Sequence, residues 1–240
     1  HQESYRSIVT KTSGTLYIVS TPIGNLKDIT YRAVETLSAV SLIAAEDTRH
    51  SKKLLNHYGI KKPLISYYEY NRFTRIPQII AHLNDGKDVA VISDAGTPGI
   101  SDPAYKLTRA AITADIKVET IPGPAAVLAG LIASGLPSDR FLFEGFLPPK
   151  KGRKKRLNAL KDEQATIVFY ESPRRLKRTL QDIGEIIGDR PAVVTRELTK
   201  MNEEIIRGTV SKLLSYVSKH EPRGEIVLII GKPDPNVFFK

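Results

Sequence analysis

Short apolar runs alternate with amphipathic stretches through the first half of the chain. Runs such as Leu16–Val19 and Leu42–Ala45 are typical of buried strands, and each precedes a stretch with apolar residues at helical spacing. Further strands are predicted at 64–67, 88–92 and 117–121. Asp28 is the predicted cap of the first helix, and Ser211 is the predicted cap of a short helix at 212–219. Strands and helices that alternate in this way predict a parallel sheet with crossover helices.

The pattern changes after Pro122-Gly123-Pro124. Strands are predicted at 141–146, 165–170, 192–195, 203–208 and 225–230, and some follow each other without a helix between them, which predicts a mixed sheet. We therefore expect two α/β domains, at residues 14–122 and 123–233, with a cleft between them. Residues 1–13 are expected to form a flexible tail.

The predicted strands of the first half end in polar segments that contain glycine or proline. The longest, residues 93–103, follows the strand at 88–92 and precedes a predicted helix. Ligands of parallel α/β sheets bind beyond the carboxyl ends of the strands. Gly96 and Gly99 allow close approach of the backbone to a ligand, and Asp94 places a carboxylate at the strand end. An ordinary connection, with Asp102 as the N-cap of the helix, explains the same residues.

The chain is strongly basic. Its 240 residues include 36 lysines and arginines against 26 aspartates and glutamates, a net charge of +10. Such an excess favours a polyanionic partner such as nucleic acid, although a solvated surface also accounts for it. The basic run comprises Lys150, Lys151, Arg153, Lys154, Lys155 and Arg156. These six residues are predicted to contact RNA phosphates, and a flexible surface loop is the alternative.

Several kinds of site are excluded or disfavoured. The chain has no cysteine, which excludes disulfides and thiolate chemistry and is consistent with a cytoplasmic protein. It has no phosphate-binding G-x-x-x-x-G-K-[ST] loop, no G-x-G-x-x-G after the first strand and no G-x-S-x-G. Its five histidines lack metal-ligand spacing, so no metal is expected. No apolar run is long enough to span a membrane.

An ordered set of motifs carries a family resemblance across about residues 14 to 232. The motifs include Thr21-Pro22-Ile23-Gly24-Asn25, Ala45-Glu46-Asp47-Thr48-Arg49, residues 93–103, Tyr170-Glu171-Ser172-Pro173 and Arg196-Glu197-Leu198-Thr199-Lys200. With them the chain resembles the tetrapyrrole-methylase superfamily of S-adenosylmethionine-dependent methyltransferases, most closely the branch that acts on small-subunit ribosomal RNA.

The resemblance implies 2′-O-methylation of a cytidine in the decoding region of 16S rRNA. It also implies a homodimer, and S-adenosylmethionine as the methyl donor, held between the two domains. Carried over by position, the donor site comprises Ile23, Asp94, Ala95, Gly96, Thr97, Ala125, Ala126, Tyr170, Glu171, Leu198 and Ile226. The chain departs from the branch at Ala125, where serine is common, and at Tyr68 and Tyr70, where the branch has histidines.

A ribose hydroxyl is a poor nucleophile unless a base accepts its proton or its developing charge is stabilised. The candidate catalytic residues are Glu46, Asp47 and Arg49, which follow the second strand. Asp94 and Glu171 are further candidate proton acceptors, although Asp94 is better suited to holding the donor. The alternative for Glu46, Asp47 and Arg49 is a local charge network that caps a helix.

Four aromatic residues, Tyr67, Tyr68, Tyr70 and Phe73, are predicted either to stack on RNA bases or to pack in the core. Two other functions stay open at this point. The first is a methyltransferase of the same superfamily that acts on a small molecule or a protein. The second is a noncatalytic RNA-binding factor of ribosome assembly.

Overall fold

The structure, a computed structural model, describes residues 12–240. They divide into two compact units. The first unit contains residues 12–22 and 26–124, and the second contains residues 23–25 and 125–240. The predicted tail, residues 1–13, lies outside the described residues except for its last two.

A five-stranded parallel sheet forms the centre of the first unit. Its strands are β1 (Leu16–Val19), β2 (Leu42–Ala45), β3 (Leu64–Ser66), β4 (Val89–Ile92) and β5 (Val118–Ile121). They lie in the order β3-β2-β4-β1-β5, and every neighbouring pair is parallel. The prediction of a parallel N-terminal sheet is confirmed. All five strands therefore end at one edge of the sheet, which we call the carboxyl edge.

Helices cover both faces of this sheet. They are α1 (Tyr31–Ala39), α2 (Thr48–His57), α3 (Arg72–Asn84) and α4 (Ala104–Thr113). Buried side chains of α1 and α2 pack in one apolar cluster, and those of α3 and α4 pack in another. The prediction that Asp28 caps the first helix is wrong, because Asp28 lies in a short 3-10 turn. Thr30 is the cap, and its hydroxyl accepts a hydrogen bond from the Ala33 amide at 3.0 Å.

The second unit contains a mixed five-stranded sheet, as predicted. Its strands are β6 (Phe141–Phe146), β7 (Thr166–Glu171), β8 (Pro191–Arg196), β9 (Glu204–Thr209) and β10 (Ile226–Ile230). The order is β6-β7-β10-β8-β9. Only the β6–β7 pair is parallel.

The helices of the second unit are α5 (Ala126–Ser134), α6 (Arg153–Ala159), α7 (Pro173–Ile186) and α8 (Val210–Lys219). The predicted cap of α8, Ser211, lies inside the helix, where its hydroxyl donates to Asp189. Thr209, the last residue of β9, caps α8 instead and accepts from the Lys212 amide. Between residues 12 and 240, no helix combines the length and the apolar character that crossing a bilayer requires.

The structure divides the predicted RNA-contacting run into exposed and buried residues. Lys150, Lys151, Lys154 and Lys155 are exposed. The Arg156 side chain is half-exposed and pairs with the buried Glu144. Arg153 is buried, so the prediction that it contacts RNA is corrected.

The Arg153 guanidinium instead connects α6 to α7. Its Nε lies 2.7 Å from Oδ2 of Asp182, and its Nη2 donates to the Thr179 hydroxyl at 2.7 Å. That hydroxyl in turn donates to Oε2 of Glu171 at 2.6 Å. A buried cation needs such partners because it has lost its water shell. Arg153 therefore anchors the basic run in the second unit.

We expect Arg153→Met to lower the free energy of unfolding by about 2 kcal/mol, because it removes the charged hydrogen bonds from Arg153 to Asp182 and Thr179. Asp182 keeps only Arg178, at 3.8 Å, and Thr179 keeps its bond to Glu171. Lys154→Met on the same helix is the matched control and should stay within about 0.5 kcal/mol, because Lys154 is exposed. Denaturant titration measures both changes. Equal losses for the two variants would contradict a structural role for Arg153.

Candidate functional site

Hydrogen bonds join the loops that follow β1, β4 and β5 at the carboxyl edge of the first unit. Thr21 and Gly96 exchange two backbone hydrogen bonds of 3.0 Å, one in each direction. Gly96 has a φ of 78°, in the left-handed region that favours glycine. The Thr97 hydroxyl donates to the Pro124 carbonyl at 2.9 Å and lies 2.9 Å from the Ser20 hydroxyl. Because Thr97 has already used its proton, Ser20 is the donor of that second bond.

The end of β2 is joined to the same edge through Asp47. Its amide donates to Oδ1 of Asp94 at 3.0 Å, and its own carboxylate accepts from the Arg49 and His50 amides. Asp47 is thus the N-cap of α2, the role that the sequence left as an alternative. Arg49 extends into solvent, with its Nε 3.6 Å from Asp47.

Three carboxylates lie near one another at this edge. Burial raises the pKa of Glu46, and the nearby carboxylates of Asp94 and Asp102 raise it further. Burial also raises the pKa of Asp102, whose Oδ1 accepts from the Gly99 and Ala104 amides. Asp102 was predicted only as the N-cap of α4, a position that Pro103 occupies, although Asp102 does bond the Ala104 amide. Its place near Glu46 was not predicted. Over residues 12–240, no group of three or more acidic or histidine side chains is arranged to hold a metal ion.

Asp47 and Glu46 are adjacent yet differ in basicity. Hydrogen bonds from the Arg49 and His50 amides lower the pKa of Asp47, whereas burial raises that of Glu46. A carboxylate with a raised pKa is the better proton acceptor near neutral pH. Of the candidate catalytic residues, Glu46 therefore has the electrostatic environment suited to that role.

In the second unit, most of the predicted donor-binding residues belong to one apolar cluster. The members are Ile23, Ala125, Ala126, Tyr170 and Leu198. The Tyr170 hydroxyl accepts a hydrogen bond of 3.0 Å from the Val127 amide in the first turn of α5. Burial raises the pKa of this hydroxyl. Ala125, the N-cap residue of α5, makes no side-chain capping bond.

Glu171 and Ile226 lie on the opposite face of the second sheet. Successive side chains of a strand point to opposite faces, so Glu171 faces away from Tyr170, and Ile226 faces away from Val227. The Glu171 carboxylate is buried and accepts from the Ser172 amide and the Thr179 hydroxyl. The proposal that it accepts a substrate proton is therefore corrected. The side chains of Glu171 and Ile226 do not join the apolar cluster.

The loop between β8 and β9 has an unusual backbone. Glu197 has a φ of 53° and Thr199 a φ of 71°, values that are uncommon for residues other than glycine and costly for a β-branched one. A Cβ on Gly24 would lie 2.5 Å from Cγ of Lys200 and 2.9 Å from the Thr199 hydroxyl oxygen, so a larger residue there requires these side chains to shift. Sequence analysis gave no signal for this strain beyond the motif itself.

The four aromatic candidates differ in their exposure to solvent. Tyr67 is buried, its hydroxyl donates to the Pro103 carbonyl at 2.8 Å, and burial raises its pKa to about 12. Tyr67 is therefore a core residue and cannot stack on a base. Tyr68, Tyr70 and Phe73 are exposed.

We expect Glu46→Gln to raise the melting temperature at about pH 8. The folded state holds the Glu46 proton more tightly than the unfolded state, because the pKa is raised from 4.5. Ionisation of Glu46 therefore costs stability as the pH rises through the folded-state pKa, and the amide avoids that cost. The gain should shrink as the pH falls below 4.5, the ordinary pKa of the group, because the carboxyl then becomes protonated in both states.

Glu35→Gln, at an exposed position of α1, is the control for a simple change of net charge. Thermal melts of both variants over the same pH range make the comparison. A Glu46→Gln variant that is less stable than the wild type at about pH 8 would show that the carboxylate contributes favourably to the fold.

The chain is similar to a known protein family. Residues 15–214 match the family model described as tetrapyrrole (corrin/porphyrin) methylases. A Thermotoga maritima protein named ribosomal RNA small subunit methyltransferase I is 51% identical over 217 residues, which cover 90% of this chain and 98% of the relative. A Bacillus subtilis protein of the same name is 50% identical over 218 residues, covering 90% of this chain and 75% of the relative.

Solved structures agree at the level of the fold. Uroporphyrin-III-C-methyltransferase from Thermus thermophilus gives a TM-score of 0.67 at 20% identity, with 95% of this chain and 100% of that chain covered. The cobalamin biosynthetic enzyme cobalt precorrin-4 methyltransferase gives 0.68 at 19% identity, with 90% and 94% covered. The chain belongs to the tetrapyrrole methylase family, and within it to the group of relatives named ribosomal RNA small subunit methyltransferase I.

Proposed function

We propose that this chain transfers a methyl group from S-adenosylmethionine to the 2′ oxygen of a cytidine ribose in the decoding region of 16S rRNA. The observation that carries the proposal is identity of about half over 90% of the chain to relatives named ribosomal RNA small subunit methyltransferase I. The basic composition supports a nucleic-acid substrate over a small molecule.

The residues of the first unit fit the proposed donor. Asp94 and Ala95 are exposed at the carboxyl edge, where a carboxylate and exposed backbone can meet the polar groups of an amino acid or a ribose. The hydrogen bonds of Gly96 and Thr97 hold that loop in place. When bound, S-adenosylmethionine supplies a methyl group that its sulfonium already activates.

In the second unit, the proposed donor contacts are the five residues that share one apolar cluster: Ile23, Ala125, Ala126, Tyr170 and Leu198. Glu171 and Ile226 contribute backbone at most. That one donor molecule contacts both sets of residues stays a prediction. A homodimer and a cytoplasmic location also stay predictions, and sedimentation of the purified protein measures the first.

We assign the proton-accepting role to Glu46. Asp47 already uses its carboxylate to cap α2, and Arg49 extends into solvent beside it, where it can orient phosphate or stabilise a developing negative charge. Positioning of the ribose oxygen in line with the methyl group supplies a further part of the rate.

We expect Glu46→Gln to lower the rate of methyl transfer by about 10² to 10⁴, the usual contribution of a general base. Asp47→Ser should retain most of the activity, since serine also caps a helix. Transfer of labelled methyl to purified small subunits measures the rate, and nuclease mapping identifies the modified nucleotide.

Calorimetry with S-adenosylmethionine is the control for the Glu46 variant, whose affinity for the donor should match that of the wild type. Full activity of Glu46→Gln would refute its role as the base. Wild-type protein that binds RNA but no donor would instead indicate a noncatalytic assembly factor. Methylation of a different acceptor would refute the cytidine assignment.

The exposed part of the basic run should contribute to RNA affinity through phosphate contacts. We expect replacement of Lys150, Lys151, Lys154 and Lys155 by glutamine to reduce the steepness of the salt dependence by about 3, if all four contact phosphates. A variant with the same loss of charge at the exposed Lys161, Lys177, Lys212 and Lys219 is the control. An unchanged salt slope in the first variant would contradict this role.

A further inference from the structure

An exposed group of aromatic and basic side chains lies where β3 ends and where α3 and α4 begin. Its aromatic members are Tyr68, Tyr70, Phe73 and Tyr105, and its basic members are Lys106, Arg109 and Arg72. All are exposed except Arg72, whose guanidinium is partly buried and pairs with Glu69. We call these seven residues the aromatic–basic patch. Tyr70 is 90% exposed and Phe73 is 77% exposed, although large aromatic side chains are normally buried. Two exposed aromatic rings three residues apart indicate a surface that binds a partner.

The two segments of the patch are joined within the first unit. The buried Tyr67 donates from its hydroxyl to the Pro103 carbonyl, which connects the end of β3 to the start of α4. Helices α3 and α4 also pack together. Lys106, Arg109 and Arg72 all lower the pKa of the Tyr105 hydroxyl, with Lys106 the largest contributor, so positive charge from both helices surrounds that ring.

The backbone that presents Tyr68 and Tyr70 is held by Asn71. Its side-chain oxygen accepts from the Tyr68 amide at 2.9 Å, and its side-chain nitrogen donates to the Ser66 carbonyl at 3.1 Å. The Tyr68 and Tyr70 rings lie 6.4 Å apart in an edge-to-face arrangement. A backbone that is already held in place loses little conformational freedom on binding, which favours a stacking partner for the rings that it carries.

Each helix also pairs a cation with a ring. The Arg72 guanidinium carbon lies 4.7 Å from the centre of the Phe73 ring, and the Lys106 ammonium lies 4.7 Å from the centre of the Tyr105 ring. Rings that stack on bases, beside cations that meet phosphates, are the combination by which proteins hold unpaired nucleotides. Duplex RNA offers no free base faces to such rings.

The patch is also close in the sheet to the proposed base. The Tyr67 amide donates to the Ala45 carbonyl at 2.8 Å, so the residue before Tyr68 is bonded to the residue before Glu46. Strands β2 and β3 are neighbours and end at the same edge. A strand of RNA on the patch is therefore near the carboxylate that would act on one of its riboses.

We infer that the aromatic–basic patch binds unpaired RNA nucleotides next to the methylated residue, with Tyr70 and Phe73 stacking on bases and Lys106 and Arg109 contacting phosphates. The inference rests on the proposed RNA substrate. It adds that the substrate segment must be single-stranded where it meets the first unit.

The test is fluorescence anisotropy of the full chain with a labelled single-stranded RNA of about twelve nucleotides and with a duplex of equal length. We expect the double variant Tyr70→Leu, Phe73→Leu to bind the single strand at least about tenfold more weakly, because two stacking contacts are lost. Duplex affinity should change little. Lys106→Gln with Arg109→Gln should reduce the salt slope.

Two controls separate stacking from other effects. Tyr70→Phe with Phe73→Tyr keeps both rings and should bind as the wild type does. Tyr31→Leu removes a ring that is 93% exposed on α1, whose buried residues pack in the other apolar cluster of the unit, and should also have no effect.

Wild-type affinity for the single strand in the leucine variant would overturn the inference and would indicate a different kind of partner for the patch. An equal loss in the ring-retaining variant would overturn stacking as the cause. Absence of methyl transfer by the wild type bears on the proposed function alone, because the binding measurement needs neither donor nor transfer.

Discussion

The hydrogen-bond chain from Ser20 through Thr97 to the Pro124 carbonyl is the constraint on which the candidate site depends. It joins the loops after three strands, and the backbone pair between Thr21 and Gly96 reinforces it. Loops at the end of a sheet are usually its most mobile parts. Here the polar groups of the three loops form hydrogen bonds with one another. The exposed Asp94 therefore lies on a loop whose backbone is held in place.

Most of the fold was predictable because burial sets the periodicity of the sequence. The strands at 16–19, 42–45 and 141–146 were predicted at their observed bounds, since each begins with an apolar run that directly follows a polar residue. Helix starts were less predictable. Asp28 and Thr30 are both competent caps, and the choice between them depends on where the chain turns after leaving β1, which is a property of the packed unit.

The sequence predicts which strand ends carry the candidate site, but it does not predict the direction in which each side chain points. Tyr170 and Glu171 are adjacent in a motif, yet alternation along β7 sends one toward α5 and the other into a buried network with Thr179. The exposure of a charged residue is equally hard to predict, as Arg153 shows. Its sequence neighbours are exposed lysines, and only the positions of Asp182 and Thr179 on α7 make it a buried anchor.

Glu46 and Asp47 show how the local fold gives two neighbouring carboxylates different chemistry. Asp47 lies at the start of α2, where amides and the helix dipole stabilise negative charge, and its pKa is lowered. Glu46 lies one residue earlier, near Asp94 and Asp102, and burial and like charge raise its pKa. Asp47 is therefore held ionised as the cap of α2, whereas the adjacent Glu46 is suited to accept a proton. The start of α2 therefore lowers the pKa of Asp47, whereas burial beside Asp94 and Asp102 raises that of Glu46, so two different contacts separate adjacent residues.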